Sequence, residues 1–155
     1  MLIETERCII RNMAIGDAES LYEVLSDPQA MACVEPPFSM ERTCAFLREA
    51  GMSEPPLVYA VCSKADGKVI GHLIFHPYEG GSYELGWILN RRYWRRGVAS
   101  ELTGAVIEYA RQQGISSIVI ECSPKQRASI AIAEKAGFSF CGIREGCNIY
   151  LLRLT

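Results

Sequence analysis

The sequence predicts an α/β fold of the α+β kind: a mixed, mostly antiparallel central sheet of six to seven strands flanked by about four helices. Three observations predict it. Asp66-Gly67 separates two short apolar runs, the pattern of a tight hairpin, and a third strand-like run follows the turn at Pro77 to Gly81. Two helical stripes, starting near Val98 and Lys125, bracket the β-branched run Ser117 to Cys122, whose composition is that of a buried strand. The chain has 155 residues, enough for one sizeable core, and no linker, repeat or low-complexity tract divides it. Residues 1–155 are therefore assigned to a single domain.

Thr5 to Met13 reads as the first strand, with Ile9 and Arg11 alternating against Cys8 and Ile10. Asp17 caps a helix running to about Ser26, with Ala18, Leu21, Tyr22 and Leu25 on its apolar face, and Asp27-Pro28 stops it. Pro28 to Phe38 is a loop with three prolines; Ser39 then caps a second helix that Gly51 ends. Leu57 to Lys64, Val69 to His76 and Tyr83 to Leu89 form an antiparallel meander. Val98 to Gln113 is a helix whose stripe of Val98, Leu102, Ala105, Val106, Tyr109 and Ala110 faces the sheet, and Gly114 terminates it. After the strand Ser117 to Cys122 comes a short helix from about Lys125 to Ala136, ended by Gly137. Phe138 to Ile143 and Ile149 to Leu154 close the chain as strands, leaving an edge that permits a homodimer as readily as a monomer.

Composition narrows the function. The net charge is −2 with no long basic run, so nucleic acid is not an expected partner. No apolar run approaches the ~20 residues that span a bilayer. The opening "MLIETERCII" lacks a basic segment followed by an apolar one, so a cytoplasmic protein is expected. The seven cysteines are odd in number and without C-x-x-C spacing, which points to free thiols rather than a disulfide framework or zinc site. His72 and His76 share a strand face but lie about 13 Å apart, too far for one metal ion. No metal is expected.

The stretch from Trp94 to Leu102 has the chemistry of an anion site. Arg95 and Arg96 lead into Gly97, Ala99 sits two places later, and an apolar helix begins. A glycine lets the backbone come close to a ligand, and the free N–H groups of a helix start attract phosphate. The pattern Trp94-x-x-Gly97-x-Ala99 resembles the acyl-CoA loop of the GNAT superfamily of N-acetyltransferases, usually Q/R-x-x-G-x-G/A. "YWRRGVASEL" resembles the "YWGKGYATEA" form of its ribosomal-protein branch, and "TERCIIR" resembles that branch's "TERLxLR" opening. Gln126 to Phe138 resembles the branch's second signature, "NIASIRVLEKLGF". The predicted element order is that of the GNAT fold over essentially the whole chain.

The resemblance implies acetyl-CoA as co-substrate, held by the amides of Arg95, Arg96, Gly97, Val98, Ala99 and Ser100. It also implies pantetheine contacts at Trp87, Ile88 and Leu89, where Gly86 is well placed for a bulge that frees backbone groups. Gln126 stands where the family has Asn, either bonding the cofactor arm or completing a Ser123-x-x-Gln126 capping box. Glu84 is the candidate base for the acceptor amine, against the alternative of a salt-bridged strand residue. Ala133 occupies the position of a thiolate-protonating Tyr in another branch, which leaves Ser129 for that role. Glu35 is a possible lure for a cationic amine, and Tyr150 is more often packing than catalysis. The implied function is transfer of an acetyl group to a primary amine, of a protein N-terminus or a small molecule, by direct attack in a ternary complex. The alternative is a non-catalytic acyl-CoA-binding sensor or scaffold.

Overall fold

The computed structural model describes residues 1–155. Its elements are β1 (Ile3–Glu4), β2 (Cys8–Arg11), α1 (Ala18–Leu25), α2 (Met40–Phe46), β3 (Val58–Ser63), β4 (Val69–Pro77) and β5 (Ser82–Leu89), then α3 (Val98–Gln112), β6 (Ser117–Cys122), α4 (Arg127–Lys135), β7 (Ser139–Arg144) and β8 (Cys147–Arg153). One sheet holds all eight strands in the order β1-β2-β3-β4-β5-β6-β8-β7, and only β5 and β6 pair in parallel.

The strand count exceeds the expected six to seven because a two-residue strand, Ile3–Glu4, precedes the run Thr5 to Met13, which itself narrows to β2. Thr5-Glu6-Arg7 turns, folding β1 back on β2 with Ile3 opposite Ile10. The second helix continues past Phe46 as a π-helical turn, Leu47–Gly51. Ser39 caps α2 as expected, its Oγ accepting from the Arg42 N–H at 3.1 Å. Asp17 does not cap α1. Its carboxylate accepts instead from the Ala14 N–H at 2.8 Å and from both terminal nitrogens of Arg11 at 2.8 Å. Burial works against its ionised form, but these bonds outweigh burial and hold the carboxyl below the usual range.

Side chains alternate across the sheet. One face, with Leu73, Phe75, Leu85, Leu89, Ile118 and Ile120, packs against Leu102, Val106 and Ala110 of α3 and Ala133 of α4. The other, with Val58, Ala60 and Cys62, packs against Leu21 and Leu25 of α1 and Leu47 beyond α2. All seven cysteines are free. No helix is long and apolar enough to cross a membrane. β7 forms the far edge with Phe140 and Ile143 exposed.

Candidate active site

The site grows from the place where the sheet opens. β5 pairs with β6 only from Ser82 to Glu84, opposite Ser117 to Val119, and the Ser82 and Ser117 hydroxyls close the base of the gap at 2.6 Å. Beyond Glu84 the two strands diverge. On its other edge β5 stays in register with β4 without a break, from Tyr83 opposite Pro77 to Leu89 opposite Gly71. The bulge expected at Gly86 is therefore absent; the sheet's register shifts lie between β3 and β4, at Val61/Cys62, and between β7 and β8, at Phe140/Gly142. Gly86 meets a packing need instead, because a Cβ there would lie 3.1 Å from Ile74 Cδ1. Divergence of β6, not a bulge, frees the backbone.

Alternation decides which groups are freed. The Asn90 N–H donates to the Ile70 carbonyl on the β4 side at 2.7 Å, and the Tyr78 N–H to the Ser82 carbonyl at 2.8 Å. Even-numbered β5 residues thus turn their backbone to β4, and Leu85, Trp87 and Leu89 turn theirs to the gap. Of the three residues expected at the pantetheine arm, Trp87 and Leu89 face the gap, whereas Ile88 pairs with His72 of β4. The Leu89 carbonyl is already occupied, accepting from the Trp94 indole N–H at 2.9 Å. Trp94, in place of the usual Gln or Arg, thereby ties the start of the loop to the end of β5.

At the mouth of the gap stands the loop. Arg95 (φ 60°) and Gly97 (φ 78°) both adopt the left-handed region, and Gly97 is the N-cap of α3. None of the six backbone N–H groups from Arg95 to Ser100 donates a hydrogen bond of normal geometry within the protein; the helical ladder starts at Glu101 N–H to Gly97 carbonyl, 3.0 Å. The guanidinium of Arg96 lies 5.8 Å from the Tyr93 ring centre.

Glu101, in the first turn of α3, was not picked out from the sequence, and neither were Thr5 and Arg7 as its partners. The Thr5 hydroxyl donates to its carboxylate at 2.5 Å, the Arg7 N–H at 2.9 Å and the Arg7 Nε at 2.8 Å. Arg7 Nη1 also donates to the Arg96 carbonyl at 2.7 Å. The signal was there in pieces, since Thr5 and Arg7 belong to "TERCIIR" and Glu101 to "YWRRGVASEL".

Glu84 points to the α1–α2 face, with His76 Nε2 at 3.6 Å. Burial pushes its carboxyl above the usual range, His76 draws it back, and Glu121 adds to the rise. Glu121 accepts from the Tyr78 hydroxyl, which in turn accepts from Arg144 at 2.8 Å. His72, on the same face, is buried, its ring 5.2 Å from Phe46 and its Nδ1 without a partner. Glu35 is engaged by Arg42 at 2.5 Å in an exposed pair.

On the far side of the gap, Gln126 is the residue preceding α4. Its Oε1 accepts from the Ser123 N–H at 2.8 Å, which is half of the expected capping box, while the Ser123 Oγ accepts from Lys125 rather than Gln126. The Gln126 amide nitrogen keeps its donors. Ser129, half-buried in the first turn of α4, has no hydrogen bond from its hydroxyl to the protein. Ala133 is fully buried, and so is Tyr150, whose hydroxyl accepts from Asn148 at 3.4 Å.

The features the fold offers for chemistry are a loop with free backbone N–H groups, a β5–β6 gap open beyond Glu84, the half-buried Glu84 carboxylate and the uncommitted Ser129 hydroxyl. The uncharacterised N-acetyltransferase YnaD of Bacillus subtilis strain 168 is 30% identical over 150 residues, 95% of this chain and 88% of that protein. The crystal structure of a GNAT-family acetyltransferase from Bacillus anthracis has a TM-score of 0.90 at 28% identity, covering 99% of both chains. A ribosomal α-N-protein acetyltransferase solved in complex with coenzyme A shares the fold, with a TM-score of 0.83 at 18% identity over 99% of this chain and 98% of that one. The family model described as the acetyltransferase (GNAT) domain matches residues 7–139, and by that match this chain belongs to the GNAT acetyltransferase family.

Proposed function

We propose that this protein transfers an acetyl group from acetyl-CoA to a primary amine, by direct attack of the amine on the thioester in a ternary complex. The observation that carries the reading is the row of six unpaired N–H groups from Arg95 to Ser100, at the start of a 15-residue helix. Such a row suits a diphosphate, to which Arg95 and Arg96 add positive charge. The coenzyme A held by the 18%-identical relative is consistent with that ligand. The pantetheine arm would run along the gap, against the Trp87 backbone, the Leu89 N–H and the Gln126 amide.

In the reaction, the amine nitrogen bonds to the thioester carbon, the C–S bond breaks, and the thiolate leaves. Glu84 would take the amine's proton, since burial among apolar neighbours makes its carboxylate a better base than a solvated one. An α-amine, with a pKa near 8, is partly neutral at physiological pH, whereas a lysine near 10.4 is neutral only about once in a thousand. One carboxylate therefore suits an N-terminal or small-molecule α-amine, and a protein N-terminus of the ribosomal type is the finer reading. Ser129 would hydrogen-bond the departing sulfur, its hydroxyl being uncommitted.

Calorimetric titration with acetyl-CoA tests the site. Gly97→Glu puts a carboxylate in the turn; its left-handed φ of 78° strains a side chain there by about 1–2 kcal/mol, a local cost, and the variant should lose binding while a thermal melt shows it still folded. Unchanged affinity in a folded variant would remove the loop from the site.

A further inference from the structure

Three groups that the sequence reading left unassigned converge behind the loop. Arg7 donates from one guanidinium to two places: Nε to Glu101 at 2.8 Å and Nη1 to the Arg96 carbonyl at 2.7 Å. The partners lie 94 and 89 residues away, so this is a tertiary clasp and not a local turn. Thr5 and the Arg7 N–H hold the second carboxylate oxygen of Glu101, fixing the clasp from below.

The consequence for the loop follows from peptide geometry. A trans peptide is planar, with its C=O and N–H pointing in opposite directions. Holding the Arg96 carbonyl toward Arg7 therefore turns the Gly97 N–H away from Arg7. The two residues on either side of the Arg95–Arg96 and Arg96–Gly97 linkages, Arg95 at φ 60° and Gly97 at φ 78°, both sit in the left-handed region. Such a torsion is costly for Arg95 and persists only where the surrounding structure fixes it. Arg7 is part of that structure. It also pairs with the one carboxylate in the first turn of α3, which would otherwise face the diphosphate as a like charge.

We propose that Arg7 is a positioning residue for the diphosphate of the acyl donor: its bond to the Arg96 carbonyl keeps the Gly97 N–H in line with those of Val98, Ala99 and Ser100, and its charge offsets Glu101. The inference rests on the reading of the loop as an acyl-CoA site. Arg7 is committed to Glu101 and the Arg96 carbonyl, so its effect is expected only with donors that carry the diphosphate.

The test compares two acyl donors, acetyl-CoA and S-acetylpantetheine, which has the thioester but lacks the diphosphate. In Arg7→Met, KM for acetyl-CoA should rise about tenfold or more with kcat little changed, since a charge-assisted bond and its geometry are lost. With S-acetylpantetheine, kcat/KM should match that of the unmodified protein. Equal losses with both donors would mean that Arg7 only supports the fold, and no loss with either would mean that it does nothing for the loop; each result overturns the proposal. Should Arg7→Met fail to fold, Arg7→Lys serves. It keeps a positive charge near Glu101 but has no planar fork to reach both partners, and the same donor-dependent pattern is expected. If the unmodified protein itself fails to bind CoA, the loop reading fails and not the clasp argument alone.

Discussion

His72 makes the stability of this protein depend on pH in a calculable way. Its ring lies under Phe46 with Nδ1 buried and unpartnered, and loss of solvation lowers its pKa from 6.5 to about 4. In the unfolded chain the imidazole takes a proton as pH falls below 6.5; in the folded protein it does so only near 4. Between those values the unfolded state binds more protons, so stability is greatest above pH 6.5 and is lost as pH falls toward 4. The gap corresponds to roughly 3 kcal/mol in full, of which about 2 kcal/mol is lost between pH 7 and pH 5. The substitution His72→Leu removes the titration and keeps an apolar side chain against Phe46. Thermal melts at the two pH values should show the unmodified protein losing about 4–8 °C more than the variant. Asp17 and Glu101 do not blur the comparison, because both carboxyls are held below the usual range and contribute their losses at lower pH, equally in both proteins. Identical slopes in the two proteins would refute the argument that His72 is kept neutral by burial.

Three further outcomes are expected. Glu84→Gln should slow acetyl transfer by about 10²-fold at pH 7 and recover as rising pH neutralises the amine; since burial disfavours the ionised carboxylate, its melting temperature at pH 8 should not fall. A normal rate with an unchanged pH profile would make Glu84 structural. Ser129→Ala should lower the single-turnover rate by about tenfold with no change in melting temperature, because the hydroxyl bonds nothing in the protein; a lower melting point with full turnover would reverse that assignment. Trp94→Phe removes the donor to the Leu89 carbonyl and should raise KM for acetyl-CoA about fivefold at constant kcat, so an unaltered KM would detach the indole from the site.

The fold was largely legible because its elements announce themselves locally. Asp66-Gly67, Ser39, Gly114 and Gly137 mark boundaries by turn and cap chemistry, and the structure puts breaks at each. The short strand β1 was not, because two residues, Ile3 and Glu4, carry no period; and Thr5 to Arg7, read as the start of a strand, turn instead with Thr5 and the Arg7 N–H bonded to Glu101, 94 residues from Arg7. The loop glycine was legible from its position before a helix. How β5 is freed was not: a bulge is written in one residue, Gly86, whereas the divergence of β6 depends on where two distant strands stop pairing. Of the Ser123-x-x-Gln126 pattern only one bond, Ser123 N–H to Gln126 Oε1, forms, because α4 starts after Gln126 and the Ser123 hydroxyl accepts from Lys125. Which β5 residues face the gap depended on the tertiary bonds of Asn90 and Trp94, which no spacing rule contains.

The central claim is catalysis rather than mere binding of an acyl donor, and release of free thiol from acetyl-CoA measures it directly. With the unmodified protein and a pool of primary amines, including peptides with free N-termini, CoA release should rise well above the amine-free rate, and the amine that drives it should appear acetylated by mass. Tight binding of CoA with no amine-stimulated release across that pool would contradict the enzymatic reading and leave a module that binds acyl-CoA without turning it over.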